Sequence, residues 1–359
     1  MNRNLLLALT IGLGITGVAL IGVALFLIFG AAGAATAVPI TPSSVAETNV
    51  ADTAVSPQPL TPSSSPSLTP SPANSPTPTT LPTSTSTPLP AGQPTPTPTT
   101  TPTPTPTPPP VNGLPAAAFI ILPPETQENV RQIYARGQQM GRDSRAYSTL
   151  GDSTVLNPHM LARFGRDDLV LGEYSYLQPT VDNFAGSWSR YGVAARNGLH
   201  SWSVFDPLWA DKDWCQPEEH LLACEFRLEN PAFLIIRLGS NDAGAPSGFE
   251  YNVRQVIEYS IENGVVPIIM TKADRFEGDN TNNEILRQLA ADFNVPLWDF
   301  DVVAETLPGR GLADDLIHMK EFPGNDFTDP AIFQSGHGMQ DLTGLMMLHA
   351  ILQTVQSGE

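Results

Sequence analysis

The chain has 359 residues, with 18 basic and 36 acidic side chains and a net charge of −18. So acidic a surface repels nucleic acid and anionic phosphate, and neither is expected as a partner. All but one of the basic residues and all but two of the acidic ones fall after residue 113, so the first third of the chain is nearly uncharged.

From Leu5 to Val38 no residue is charged, and LLLALTIGLGITGVALIGVALFLIFG, residues 5 to 30, is almost wholly apolar. About 20 such residues suffice to cross a bilayer, so residues 1–38 are expected to form a membrane anchor. Arg3 would keep the short N-terminus inside and place the remaining chain outside the cell membrane. Ala35-Thr36-Ala37 also fits a cleavage pattern, and cleavage there would make the same chain secreted. Residues 39–113 then hold most of the 36 prolines, no aromatic residue and only Glu47 and Asp52 as charges. Such a Pro/Thr/Ser tract has too little apolar surface to offset the entropy of ordering, and reads as an extended extracellular linker or a glycosylated stalk.

Residues 114–359 are expected to form a single domain, large enough to bury one core. AFIIL (118–122) reads as a strand, and ETQENVRQIYARGQQMG (125–141) follows with Val130, Ile133 and Tyr134 at helical spacing. Apolar, strand-like segments recur at AYSTL (146–150), AFLIIRLG (232–239), VVPIIMTK (265–272) and VPLWDF (295–300). The helical patterns EYNVRQVIEYSIENG (250–264) and NNEILRQLAADFN (282–294) separate the last three. Apolar strands alternating with amphipathic helices predict an α/β fold, a three-layer, doubly wound parallel sheet of flavodoxin-like type. Cys215 and Cys224, nine positions apart, are expected to pair in an exported domain. Four of the five tryptophans, Trp188, Trp202, Trp209 and Trp214, cluster after the first core strand and are expected in the core, with a sugar- or acyl-binding face as the alternative. The acidic runs ADKDW and FEGDNTNN read as solvated loops, and no metal or cofactor is expected.

In an open α/β sheet the functional site lies beyond the carboxyl ends of the strands. Three segments follow such ends: Gly151-Asp152-Ser153, Gly239-Ser240-Asn241-Asp242, and the run from Lys272. Ser153 sits where a helix is expected to start, so it reads as a nucleophile or as a helix cap. A serine nucleophile requires a base, a group that orients the base, and donors for an oxyanion. Of six histidines only His318 has an acid three residues before it, Asp315, and this spacing lets the carboxylate meet Nδ1 while Nε2 faces the serine. Candidate oxyanion donors are the Ser153 N–H, the Asn241 side chain and an N–H from the Gly198–Ser201 stretch.

STLGDST, IIRLGSND and GLADDLIHM, in this order, resemble the GDSL-like, or SGNH, hydrolase family over residues 143 to 320. The resemblance implies Ser153 as nucleophile, Asp315 and His318 as the rest of a triad, and Asn241 as an oxyanion donor. It also implies a glycine N–H from ARNGLHSWS, supplied by Gly198 or, if the register differs, by Ser201. The first block departs from the family by carrying Thr154 after the serine, and a long segment after His318 is expected to overhang the site. His337 lies in that segment and is the alternative base. The activity implied is hydrolysis of a carboxylic ester, of a small molecule, an acetylated polysaccharide or a lipid. An acyltransferase, or a non-catalytic glycan-binding surface module, are the competing readings.

Overall fold

The computed structural model describes residues 108–156 and 158–357. The expected anchor and most of the expected linker lie outside the described residues, and among those described no helix is long and apolar enough to cross a membrane. Packing begins earlier than the boundary at Leu114. Val111 is fully buried and bridges Leu114, and Asn112 donates its side-chain amide to the Phe333 carbonyl at 2.8 Å.

Five strands form the sheet: β1 (Ile120–Ile121), β2 (Asp143–Gly151), β3 (Pro231–Arg237), β4 (Val266–Met270) and β5 (Leu297–Trp298). Their order is β1-β5-β4-β3-β2, with β2 to β5 parallel and β1 antiparallel on the edge. The helices are α1 (Pro124–Gln139), α2 (Gln178–Asn183), α3 (Leu221–Glu229), α4 (Pro246–Glu262), α5 (Thr281–Phe293), α6 (Phe300–Ala304) and α7 (Gly336–Gln356).

Strand periodicity sends alternate side chains to opposite faces. Tyr147, Phe233, Ile235, Ile268 and Trp298 pack with α1, α2 and α7, while Leu150, Leu234, Ile236, Ile269 and Leu297 pack with α3, α4 and α5. Three layers result, as expected. The regular strands, however, run in sequence order, so the right-handed crossovers β2-α3-β3, β3-α4-β4 and β4-α5-β5 all place their helices on one face. The reversal that defines a doubly wound sheet survives as a single parallel bridge, Gly151 to Ala195, on the free side of β2. The chain between them crosses the other face, burying Phe164, Tyr174, Leu177, Phe184 and Trp188 there. The second strand of a flavodoxin-like order is thus cut to one residue pair, too short to show as a strand in the sequence.

Glu225 of α3 supports this bridge from below. Its carboxylate, nearly fully buried, accepts the Ala194 N–H at 3.0 Å, and the Ala194 carbonyl accepts the Gly151 N–H. Burial pushes the Glu225 carboxyl up from its ordinary 4.5 to about 7, against the pull of the Ala194 N–H. Between these values the folded chain keeps a proton that the unfolded chain releases, so stability falls as pH rises through that window. Glu225→Gln removes this dependence: relative to the parent, its thermal midpoint should gain between pH 5 and 7, a differential of about 2 kcal/mol, since the limiting 1.36 kcal/mol per pH unit tapers off near pH 7. Parallel melting curves for the two proteins over this range would contradict it.

Candidate active site

β2 ends at Gly151, where the chain passes too close to β3 for any larger residue: a Cβ there would lie 2.4 Å from the Arg237 carbonyl oxygen. Asp152 then caps a single 3-10 turn, Ser153–Val155, accepting the Thr154 N–H at 2.9 Å and the Thr154 hydroxyl at 2.6 Å. The expected helix starting at Ser153 is absent, because the turn ends after three residues, and the cap is Asp152 rather than the serine. Ser153 itself is half-buried, its hydroxyl is left for other partners, and its N–H donates to none of the described residues.

His318 comes from the segment between α6 and α7. Leu312 and Met319 bridge as an antiparallel pair, and the Ala313 N–H donates to the His318 carbonyl at 2.8 Å. At the tip of this hairpin Leu316 takes a left-handed φ of 60°, and Asp315 Oδ1 accepts the N–H groups of Ile317 and His318, each at 3.0 Å. Asp315 Oδ2 lies 2.6 Å from His318 Nδ1, and His318 Nε2 lies 2.8 Å from Ser153 Oγ. The imidazole beside it, then the two N–H groups, hold the Asp315 carboxyl down at about 2. It therefore stays ionised across the neutral range and fixes the tautomer in which Nδ1 carries the proton and Nε2 accepts one. The structure thus joins the three residues that the sequence places 165 positions apart.

The oxyanion candidates separate. Ser201 is buried, and both its N–H and its hydroxyl donate to Asp242, at 3.0 Å and 2.7 Å. Its main-chain N–H is therefore occupied, which corrects the expectation of Ser201 as an oxyanion donor. Gly198 has a φ of +72° and an N–H that donates to none of the described residues. Asn241 gives one amide hydrogen to the Leu199 carbonyl at 3.1 Å, which ties its loop to that of Gly198 and leaves the second hydrogen available. His337, the alternative base, stands at the start of α7 with its ring 5.8 Å from that of His159, and Ser153 bonds His318 instead. Burial pushes the His337 imidazole below its usual range, so it is the neutral form that lines the site.

Beneath the site lies a cluster that sequence reading did not identify. Arg237, at the end of β3, is fully buried and reaches Asp152 at 3.1 Å, Ser240 at 2.6 Å and Asp274 at 2.8 Å. Lys272, equally buried, contacts Asp274 at 3.1 Å and Glu277 at 2.5 Å. Burial alone would raise the Asp274 carboxyl, but Arg237 and Lys272 outweigh it and hold it below the usual range. Asn282 and Asn283 complete the frame by donating to the carbonyls of Gly239 and Lys272, both at 2.9 Å. The run FEGDNTNN, read as a solvated loop, thus contributes Glu277, Asn282 and Asn283 to the interior. In the run ADKDW, Asp211 pairs with Arg196 at 3.0 Å.

The two cysteines are bonded, with Cα atoms 5.3 Å apart. Of the clustered tryptophans Trp188 is core, Trp209 is half-buried, and Trp202 and Trp214 are 57% and 59% exposed, so the core expectation is met only in part.

No protein-family model and no curated protein matches the chain. Among solved structures 13 chains are similar to it. One is a mutant of Axe2, an acetyl-xylooligosaccharide esterase from Geobacillus Stearmophilus, at 18% identity and a TM-score of 0.35, with 56% of this chain and 93% of that chain covered. Another is the psychrotrophic esterase EstA from Pseudoalteromonas sp., at 15% identity and a TM-score of 0.34, with 59% of this chain and 98% of that one covered. A third is the acetyl xylan esterase AlAXEase, at 16% identity and a TM-score of 0.32, with 56% and 96% covered.

Substitution separates the roles of Ser201, Gly198 and Asn241. Ser201→Ala keeps the backbone N–H but deletes the hydroxyl's bonds to Asp242 and from Asn252, so it should cost about 2–3 kcal/mol of stability and leave kcat nearly intact. Gly198→Ala puts a Cβ on a left-handed backbone, and Asn241→Ala removes a side-chain donor. Each should lower kcat by about 100-fold. Steady-state kinetics with a chromogenic ester give the comparison, and parent-level kcat in both Gly198→Ala and Asn241→Ala would remove the two as oxyanion donors.

Proposed function

We propose that the chain is a serine esterase that cleaves carboxylic esters through an acyl-enzyme on Ser153. The observation that carries this reading is the continuous hydrogen-bonded line from Asp315 through His318 to Ser153. His318 Nε2 takes the Ser153 proton as Oγ attacks the carbonyl carbon, and the new oxyanion is met by the N–H groups of Ser153 and Gly198 and the amide of Asn241. The same proton passes from Nε2 to the departing alkoxide as the tetrahedral intermediate collapses. Water, deprotonated by His318, then attacks the acyl carbon and frees the acid and the serine.

Support for an extracellular, membrane-tethered setting comes from the apolar run at residues 5 to 30 and the Cys215–Cys224 disulfide, a bond typical of oxidising compartments. The substrates proposed are accordingly extracellular esters, on small molecules, polysaccharides or lipids. Two other readings each have a specific footing. The half-exposed triad leaves the acyl-enzyme open to acceptors other than water, so an acyltransferase of the same chemistry would release an acylated sugar in preference to free acid. Exposed Trp202, stacked on His200 at 5.7 Å, offers a ring face of the kind that glycan-binding modules use.

A fluorophosphonate should label Ser153 and block turnover of 4-nitrophenyl acetate. Ser153→Ala and His318→Ala should each lower kcat by about 10⁴-fold or more, whereas His337→Ala should still react with the probe. Absence of labelling in the parent chain favours the glycan-binding module, and loss of labelling in His337→Ala with retention in His318→Ala makes His337 the base.

A further inference from the structure

Ser153 and His318 open onto a cavity of about 230 Å³. Its wall includes His159, Glu321 and His337, and the same three side chains border a second cavity of about 400 Å³ that reaches Ala162, Ser189 and Phe322. Building on the reading of Ser153 as an esterase nucleophile, we infer that these joined cavities are the subsite for the alcohol half of the ester, and that this alcohol is a neutral polyhydroxylated one, a sugar unit.

The stereochemistry assigns the side. His318 Nε2 must deliver its proton to the leaving oxygen, so the alcohol departs along the face bounded by His318. The cavity beside Ser153 is lined by His318 and Met319, and of the three oxyanion candidates Gly198 and Asn241 border neither cavity. The acyl group, bonded to the same carbon, is left with the opposite, open side.

The lining sets the chemistry. Ser189 offers a hydroxyl, Thr154, whose hydroxyl already donates to Asp152, offers an acceptor oxygen, His159 and His337 offer ring nitrogens, and Glu321, 76% exposed, offers carboxylate oxygens. Pro158, Phe322 and Pro323 add apolar faces between them. Interspersed donors and acceptors against apolar patches match the alternating hydroxyl and C–H faces of a sugar ring. The two arginines that line the outer cavity are already engaged. Arg163 spends its guanidinium on Asp341 and the carbonyls of Gly324 and Phe322. Arg166 binds both oxygens of Asp168 and the Pro323 carbonyl. With these two committed and Glu321 in the wall, an alcohol bearing phosphate or carboxylate meets repulsion rather than a partner.

The test compares kcat/KM of the full chain for four esters: 4-nitrophenyl acetate, 4-nitrophenyl octanoate, a mono-acetylated cellobiose and 1-acetylglycerol 3-phosphate. The parent should prefer the acetylated disaccharide to the acetylglycerol phosphate by at least about ten-fold, and Glu321→Lys, an exposed change that leaves packing alone, should shrink that preference. Ala162→Phe, which narrows the outer cavity, should reduce the ratio of acetylated disaccharide to 4-nitrophenyl acetate about ten-fold while the octanoate-to-acetate ratio stays constant. A loss that follows the octanoate instead assigns the cavities to the acyl chain and overturns the inference. So does an unchanged ratio in both variants, or a parent preference for the phosphate ester. Turnover of 4-nitrophenyl acetate with any of those results leaves the esterase reading standing, whereas no turnover of any ester removes both.

Discussion

The buried Arg237 guanidinium is the contact on which the arrangement of the site depends. It stands at the end of the third strand and holds Asp152, at the end of the second, and Asp274, beyond the end of the fourth. A charge in the interior is tolerated only when paired and hydrogen-bonded, and removing one partner of such a set costs about 3–5 kcal/mol. Arg237 meets that requirement on two sides, and Ser240, which donates to Asp274 at 2.7 Å, closes the ring. The consequence is geometric. Asp152 fixes the turn that carries Ser153, and Ser240 precedes Asn241, so the proposed nucleophile and a proposed oxyanion donor are fastened to one guanidinium rather than to separate loops.

The two halves of the site are rigid for different reasons. The floor is buried and electrostatic, with Lys272, Asp274 and Glu277 extending the Arg237 cluster under the sheet ends. The Asp315–His318 turn is about half exposed and owes its shape to short-range bonds: the Leu312–Met319 bridge, the left-handed Leu316, and a carboxylate that binds the N–H groups of its own turn before it meets the imidazole. Between them, Asp242 locks Ser201 and Asn241 locks Leu199, so the Gly198–Ser201 stretch is hung from the Gly239–Asp242 loop. In that stretch the N–H groups of Gly198 and His200 remain uncommitted among the described residues.

Legibility in the sequence followed the range of the interaction that defines each feature. Asp315 and His318 are three residues apart and form a local turn, so their spacing carried their geometry. Ser153 was legible because Gly151 and Asp152 beside it serve the same turn. The strands of the core were legible from apolar runs, since burial on both faces leaves no polar alternation. Arg237 was not, because an arginine closing an apolar strand looks like a strand terminus facing water, and only its distant carboxylates reveal that it is buried. Ser201 and Gly198 were equally plausible as donors until Asp242, 41 positions away, was seen to occupy the serine. The reversal of the sheet, reduced to the Ala195 bridge, has no periodicity to detect.

The disulfide bears on the same geometry through covalent rather than ionic means. Cys224 lies on the buried face of the third helix, next to Glu225, and its bond to Cys215 anchors that helix to the preceding loop. Glu225 in turn holds Ala194, whose carbonyl receives the Gly151 N–H at the base of the nucleophile turn, and the Gly151 carbonyl receives the Arg196 N–H at 2.9 Å. The stretch that leads to Gly198 is therefore braced on one side by β2 and on the other by a helix stapled through sulfur. A bond favoured by oxidising conditions thereby supports the placement of Gly198, a proposed oxyanion donor, four residues beyond the braced Ala194.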